Sequence, residues 1–251
     1  MKIAIPSYNR PETLKKKSVA YLLNEGFQAT EIFVFLRDQD QLHLYQSVFD
    51  ISLNFVVCNT STLPQKRQFI SDYFDKDEEV FSLDDDIRRL KMVQPRPLKV
   101  LLAQLFKMLR DNNLNIWGIY PLNNLYFCRE KYKVGKQFIN SCFYGFINRK
   151  DFIYPPLSLM EDVYFSCFRS EKDGGVLRFD GACPHTDFFA IGGLSSTRTP
   201  ELEEETCKIL IETFPHLLEY KKNKYHPFCA WKRQKTILLN QTAHTPLWLL
   251  S

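Results

Sequence analysis

An α/β fold built on a mostly parallel central sheet is what this sequence predicts, on three observations. Short apolar runs at Lys2–Ile5, Thr30–Leu36, Ser52–Cys58 and Val80–Leu83 alternate with segments of helical spacing, the pattern of βαβ units with helices on both faces of the sheet. Polar clusters follow three of these strands, at Ser7–Arg10, Asp38–Asp40 and Asp84–Asp86. Ligands of such sheets bind beyond the carboxyl ends of the strands, so the clusters are expected to converge on one crevice. The nucleotide-binding glycine motifs are also missing: no Gly-x-Gly-x-x-Gly follows the first strand and no Gly-Lys-Ser/Thr occurs. This argues against a dinucleotide enzyme or a P-loop NTPase.

The elements follow in order. Pro11 opens a helix in which Leu14, Val19, Leu22 and Leu23 keep near-helical spacing up to Gly26. Asp38-Gln39-Asp40 caps a short helix through Tyr45, and Leu63–Phe74 is a helix carrying Lys66 and Arg67. After the aspartates, Leu98, Leu101, Leu102, Leu105, Met108 and Leu109 form the apolar stripe of an amphipathic helix. Asn115–Tyr120 and Leu125–Arg129 read as strands. Gln137–Arg149 alternates loosely around Gly145, where a backbone or ligand approaches closely. Pro155-Pro156 ends that segment, and Glu161 and Asp162 then stand in the first turn of a helix, where its dipole favours acids. Gly174-Gly175 is a turn, Val176–Phe179 a strand, and Glu201–Phe214 a helix, followed by a basic and aromatic tail.

Composition sets outer bounds. The 251 residues suffice for one large domain or two small ones, with 45% hydrophobic and 25% charged content as in soluble globular proteins. A formal net charge of +4 permits a polyanionic or phosphate-bearing partner without demanding one. The seven cysteines are scattered with no Cys-x-x-Cys pair, which argues against a disulfide framework or a zinc site and for a reducing compartment. No apolar run has the length of a signal peptide or a membrane span, so a soluble, cytoplasmic protein is expected.

Asp84-Asp85-Asp86 is the stretch with the clearest chemistry. Three adjacent carboxylates repel one another, so a fold keeps them together where water screens them or a cation joins them. Two carboxylates completed by substrate phosphate and water suit Mg²⁺ or Mn²⁺.

Taken in order, Pro6-Ser7-Tyr8-Asn9-Arg10-Pro11 after the first strand, the basic Gln65-Lys66-Arg67-Gln68 helix, the strand ending in Asp84-Asp85-Asp86 and the later Glu161-Asp162 resemble the GT-A nucleotide-sugar glycosyltransferases of the family 2 type. The resemblance covers residues 1–195, a nucleotide-sugar-binding half (1–90) and an acceptor half (91–195), and leaves 196–251 as a helical, basic and aromatic extension. Trp117–Asn124, Phe143–Asn148, Met160-Glu161-Asp162, Asp173–Phe179 and Gly192-Gly193-Leu194 look like the TET/JBP-associated glycosyltransferases of phages and viruses.

The resemblance implies a metal-dependent, inverting transfer of a sugar from a nucleotide sugar, a UDP-sugar such as UDP-glucose, to a hydroxyl. The favoured acceptor is a hydroxymethylated pyrimidine such as hydroxymethylcytosine in double-stranded DNA. It assigns the metal to Asp86 and Asp84 with His185 as a second-site ligand, the nucleoside to Ser7, Tyr8 and Arg10, and the uracil to Asp38. It assigns the diphosphate to Lys66 and Arg67, contact with the bound donor to Asp84 (through the metal's water or the ribose) and Asp85, and catalysis to Asp162 as base with Glu161 in support. Asn123, Tyr144 and Arg178 become candidates for holding sugar or acceptor. Read without the resemblance, Asp38 is a helix cap, Lys66 and Arg67 are solvated, Glu161 and Asp162 complement a helix dipole, and His185 is structural. The tail is then a basic surface packed through its aromatics. A glycan or protein acceptor, a nucleotidyltransferase and a silent binding module are the competing functions.

Overall fold

Nine strands form the central sheet of the computed structural model, in the order β13-β7-β9-β6-β8-β4-β1-β2-β3. The structure describes residues 1–154, 157, 159–186, 199–222, 227–232 and 235–239. Pro155-Pro156, Asp187, Gly192-Gly193-Leu194 and the tail residues Lys224, Tyr225 and Arg233 lie outside the described residues.

The first half is an alternating βα unit. Strands β1 (Lys2–Pro6), β2 (Ile32–Leu36), β3 (Asn54–Val57) and β4 (Glu79–Leu83) pair in parallel. Between them run α1 (Pro11–Leu14), a π-helical turn (Lys15–Val19) and α2 (Ala20–Asn24), then α3 (Gln39–Val48) and α4 (Leu63–Tyr73). Proline at the start of α1 and a Thr62/Gln65 capping box at α4 mark the helix starts that the sequence signals. Asp38 caps α3 by accepting from the Gln41 backbone at 2.9 Å.

The second half turns the sheet mixed. After β5 (Arg89–Met92) and α5 (Leu98–Asp111) come β6 (Ile116–Ile119), β7 (Tyr132–Gly135) and β8 (Phe143–Ile147). Helix α6 (Glu161–Lys172) then leads to β9 (Val176–Phe179) and β10 (Ala182–His185). Strand β8 runs antiparallel to both β4 and β6, and β7 runs antiparallel to β9 and β13 (Thr236–Leu239), so only β7 and β8 oppose the common direction. Strands β5 and β10 make a small antiparallel sheet of their own. Helix α7 (Pro200–Thr213) packs on the β11 (Leu218–Lys222) and β12 (Pro227–Trp231) hairpin. No helix among the described residues is long and apolar enough to cross a membrane.

Three elements depart from the sequence reading in the first 135 residues. Leu125–Arg129, expected as a strand, is instead a 3₁₀ turn over Leu125–Phe127 capped by the Asn124 side chain. Its apolar run is largely exposed, with Tyr126 77% and Phe127 51% accessible, so no burial drives it into the sheet. Strands β5 and β7 were not expected, because Lys and Arg interrupt the apolar pattern that flags a strand.

Gly145 bears out the close approach. A Cβ there would lie 2.4–2.5 Å from the indole of Trp117, which is fully buried and stacked on Phe81. Gly145→Ala should therefore overpack the core and cost about 2 kcal/mol or more, read as a shifted urea-unfolding midpoint.

Behind the sheet, Arg169 of α6 binds Asp151 through two hydrogen bonds of 2.6 and 3.2 Å. Burial pushes the Asp151 carboxyl up, but Arg169 and Lys172 outweigh it and bring it down to about 2. A depressed carboxylate contributes stability above its unfolded value near 3.8, and the contribution is lost as pH falls toward 2. The stability difference between wild type and Asp151→Asn, measured by urea unfolding, should be largest above pH 5 and shrink between pH 4 and pH 2, with these limits set roughly by linkage.

Candidate functional site

The carboxyl ends of β1, β2 and β4 deliver the polar clusters to one place, and buried side chains decide how each is used. As β4 ends, Asp84 donates its backbone N–H to Cys142 O at 3.0 Å, and the chain turns so that Arg88 N reaches His185 O at 2.9 Å. The three aspartates lie between these anchors and take different partners.

Asp85 points inward and is 1% exposed. It accepts from Ser7 Oγ at 2.6 Å and pairs with Arg10 Nη2 at 2.5 Å. Tyr45 from α3 completes the knot: its hydroxyl lies 2.6 Å from Ser7 Oγ and accepts from Arg10 N at 3.1 Å. Burial pushes Asp85 up to about 6 and the Tyr45 phenol up to about 12, while Arg10 and Ser7 pull Asp85 back. Ser7 and Arg10, expected at the nucleoside, are thus bound to Asp85, and the buried pair locks the loop after β1 to the end of β4.

Asp86 accepts from Thr186 Oγ1 at 2.6 Å and lies 3.6 Å from Arg10 Nη1. Asp84 is the most accessible of the three, with 35% of its side chain exposed, and sits 3.5 Å from Arg67 Nη2. Burial, together with Asp86, Asp85 and Glu161, pushes Asp84 up to about 7 against the pull of Arg67.

Arg67 is buried, and its guanidinium donates to Glu161 at 3.2 Å, to the Tyr144 hydroxyl at 3.2 Å and to Ser141 O at 3.1 Å. Burial works against its charge, but Tyr144, Glu161 and Asp84 outweigh that and keep it firmly charged. Lys66 is also buried, donates to Ser7 O at 2.7 Å and has its pKa lowered by that burial. Both bases therefore serve protein partners, because the inward face of α4 carries them. Neither is a solvated helix residue.

Glu161, 6% exposed, holds Arg67, whereas its neighbour Asp162 is partly exposed at the start of α6 and accepts from Val163 N. The buried Cys142 thiol is pushed well above its usual value by burial and by the charges of Asp84, Asp162 and Asp86. Tyr8 is 37% exposed, and the Arg37 guanidinium lies 5.6 Å from its ring centroid. Asn123 bridges Lys91 and Thr186 O, while Arg178 is held by Asp180 at 2.7 Å on β9.

His185 ends β10 opposite Arg89, and among the described residues no three His, Cys, Asp or Glu side chains gather into a metal-holding group. The predicted trio of Asp84, Asp86 and His185 does not form such a group, and Thr186, next to His185, donates to Asp86. Two carboxylates still fit a divalent cation that keeps water and phosphate ligands. Four acids, Asp84, Asp85, Asp86 and Glu161, gather around Arg10 and Arg67, and Asp84 is raised first by burial and then by its acidic neighbours.

Tyr45, Ser18, Thr186 and Arg37 are site residues that the sequence reading missed. Arg37 stands directly after a strand, which was the available signal; the others are single hydroxyls from distant segments that carry no motif.

No family model and no curated protein matches the chain. Solved structures do: S. aureus TarS 1–349 with a TM-score of 0.53 and 14% identity over 84% of this chain, and GalNAc-T7 with UDP, GalNAc and Mn²⁺ with 0.55 and 10% over 84%. A mycobacterial protein aligns over 94% of this chain and 85% of its own, with a TM-score of 0.50 and 9% identity. The chain spans 65% of the TarS fragment and 48% of the GalNAc-T7 chain. The fold is that of the GT-A glycosyltransferases.

Asp85→Ala removes the buried carboxylate that binds both Ser7 and the partly buried Arg10 and should cost about 2 kcal/mol or more of folding stability. Asp86→Ala removes one of several mutually repelling acids at a less buried position and should cost much less, both read by urea unfolding.

Proposed function

We propose that the protein is a glycosyltransferase that moves a sugar from a nucleotide sugar to a hydroxyl acceptor. The observation that carries the reading is the placement of Asp84 and Asp86 at the carboxyl end of β4 in a GT-A fold, with Asp162 in the first turn of α6 beside the Glu161 that binds Arg67. The UDP and Mn²⁺ in the GalNAc-T7 structure support a UDP-sugar donor and Mn²⁺, with Mg²⁺ the other hard cation suited to two carboxylates.

Asp84 and Asp86 would hold the cation, which when bound neutralises charge developing on the departing diphosphate. Tyr8, backed by Arg37, offers an exposed ring face to the nucleoside base, and Asp38 stands beside it at the end of β2. Lys66 and Arg67 contribute positive charge to the crevice from behind while fixing its walls. Asp162 takes the acceptor proton as the hydroxyl oxygen bonds to the anomeric carbon and the carbon–oxygen bond to the diphosphate breaks. Glu161, tied to Arg67, holds the start of α6 in place for it. One base and direct displacement invert the anomeric centre. A hydroxymethylated pyrimidine in DNA is the acceptor that we favour from the resemblance of the Trp117–Asn124 and Phe143–Asn148 segments, with a glycan or protein hydroxyl as the other class.

The test is UDP release from a panel of UDP-sugars with Mn²⁺, with and without duplex DNA containing 5-hydroxymethylcytosine or 5-hydroxymethyluracil. Asp86→Ala and Asp162→Ala should each lower turnover by about 100-fold or more. Release that depends on modified DNA fixes the acceptor, and release indifferent to DNA redirects the search to glycans and proteins. Pyrophosphate in place of UDP would make the protein a nucleotidyltransferase, and failure to bind any nucleotide sugar would end the reading.

A further inference from the structure

Between α1 and α2 the helix widens into the π-helical turn Lys15–Val19. Such turns displace one residue from the regular ladder and occur often at functional sites. Ser18 is the residue that this turn carries toward the aspartates, and it is fully buried. Its hydroxyl donates to Asp84 O at 2.7 Å and accepts from Ile87 N at 2.9 Å. One side chain thereby binds both ends of the acidic turn.

The turn needs such a clamp. Three adjacent carboxylates push apart, and the β4 ladder ends at Leu83. The remaining backbone anchors are Asp84 N on Cys142 O and Arg88 N on His185 O. Without the Ser18 hydroxyl, Asp84 O loses this donor and Ile87 N loses its acceptor at a buried position, where unmade hydrogen bonds are costly.

We propose that Ser18 is a positioning residue for the Asp84 and Asp86 carboxylates: through both ends of the turn, it sets the separation and direction in which the two acids leave β4. The inference deepens the reading of this pair as a cation and donor site, and its test has one readout that does not depend on that reading.

Amide hydrogen exchange over residues 83–88 is compared in wild type, Ser18→Ala and Leu109→Ala, the last a core truncation on α5 that lowers global stability without touching the turn. Exchange over 83–88 should rise about tenfold in Ser18→Ala beyond whatever global destabilisation produces in Leu109→Ala. Mn²⁺ affinity in the presence of UDP, followed by the electron paramagnetic resonance signal of the free ion, should fall about tenfold in Ser18→Ala and stay unchanged in Leu109→Ala. Ser18→Thr, which keeps the hydroxyl, should restore both. Ser18→Cys, closer in size to serine with a weaker donor, replaces Ser18→Ala in the comparison if the alanine variant does not fold.

Unchanged exchange over 83–88 overturns the proposal. So does faster exchange with unaltered Mn²⁺ affinity, because the clamp would then be structural only. Faster exchange in a protein whose wild type binds neither Mn²⁺ nor UDP supports the clamp while removing the donor-site reading.

Discussion

Excess negative charge at the end of β4 is the constraint on which this site depends. Asp84, Asp85, Asp86 and Glu161 are brought together in surroundings dry enough to lift Asp84 to about 7 and Asp85 to about 6. The guanidiniums of Arg10 and Arg67 stand among them, and each is directed at a particular acid. Arg10 neutralises Asp85 and reaches the edge of Asp86, and Arg67 neutralises Glu161 and reaches the edge of Asp84. The outer two aspartates are thus the ones left under-compensated, and they are also the more exposed.

The three aspartates consequently divide into two kinds. Asp85 is a structural acid: with Ser7, Arg10 and Tyr45 it joins the loop after β1 to α3 and β4. A buried pair of this sort adds little net stability over an apolar replacement but makes loss of one partner severe. Asp84 and Asp86 flank it on the chain and face different neighbours, Arg67 and Thr186.

Much of the fold was legible because it rests on periodicity. The βα alternation through β4, the caps at Asp38 and Thr62 and the stripe of α5 all come from apolar spacing and helix-start residues that act locally. Strands β5 and β7 were not legible, since basic residues break their patterns and pairing with β10, β9 and β13 holds them in place. The same boundary divides the site. The acidic turn and the Glu161-Asp162 start of α6 announce themselves by residue type, whereas Lys66 and Arg67 were legible as charges and not as buried ones. What α4 packs against decides their burial, and that information lies at Ser7, 59 residues from Lys66, and at Ser141, Tyr144 and Glu161, 74 to 94 residues from Arg67. Tyr45, Ser18 and Thr186 contribute one hydroxyl each across similar distances, with no local pattern to mark them.

Arg67 carries the further consequence of this arrangement. It rises from α4 in the first half of the chain and donates to Glu161 at the start of α6, to Tyr144 on β8 and to the backbone of Ser141, while lying against Asp84. The residue beside Ser141 is Cys142, whose carbonyl receives the Asp84 N–H. One buried cation therefore touches the acidic turn, the segment that anchors that turn and the helix that presents Asp162. Any change in charge at Asp84 is felt by Arg67 at 3.5 Å and hence by Glu161 at 3.2 Å, in an interior where such interactions are poorly screened. Asp84 and Glu161 share one guanidinium, so the electrostatic state of the acidic turn reaches the start of α6, where Asp162 stands beside Glu161.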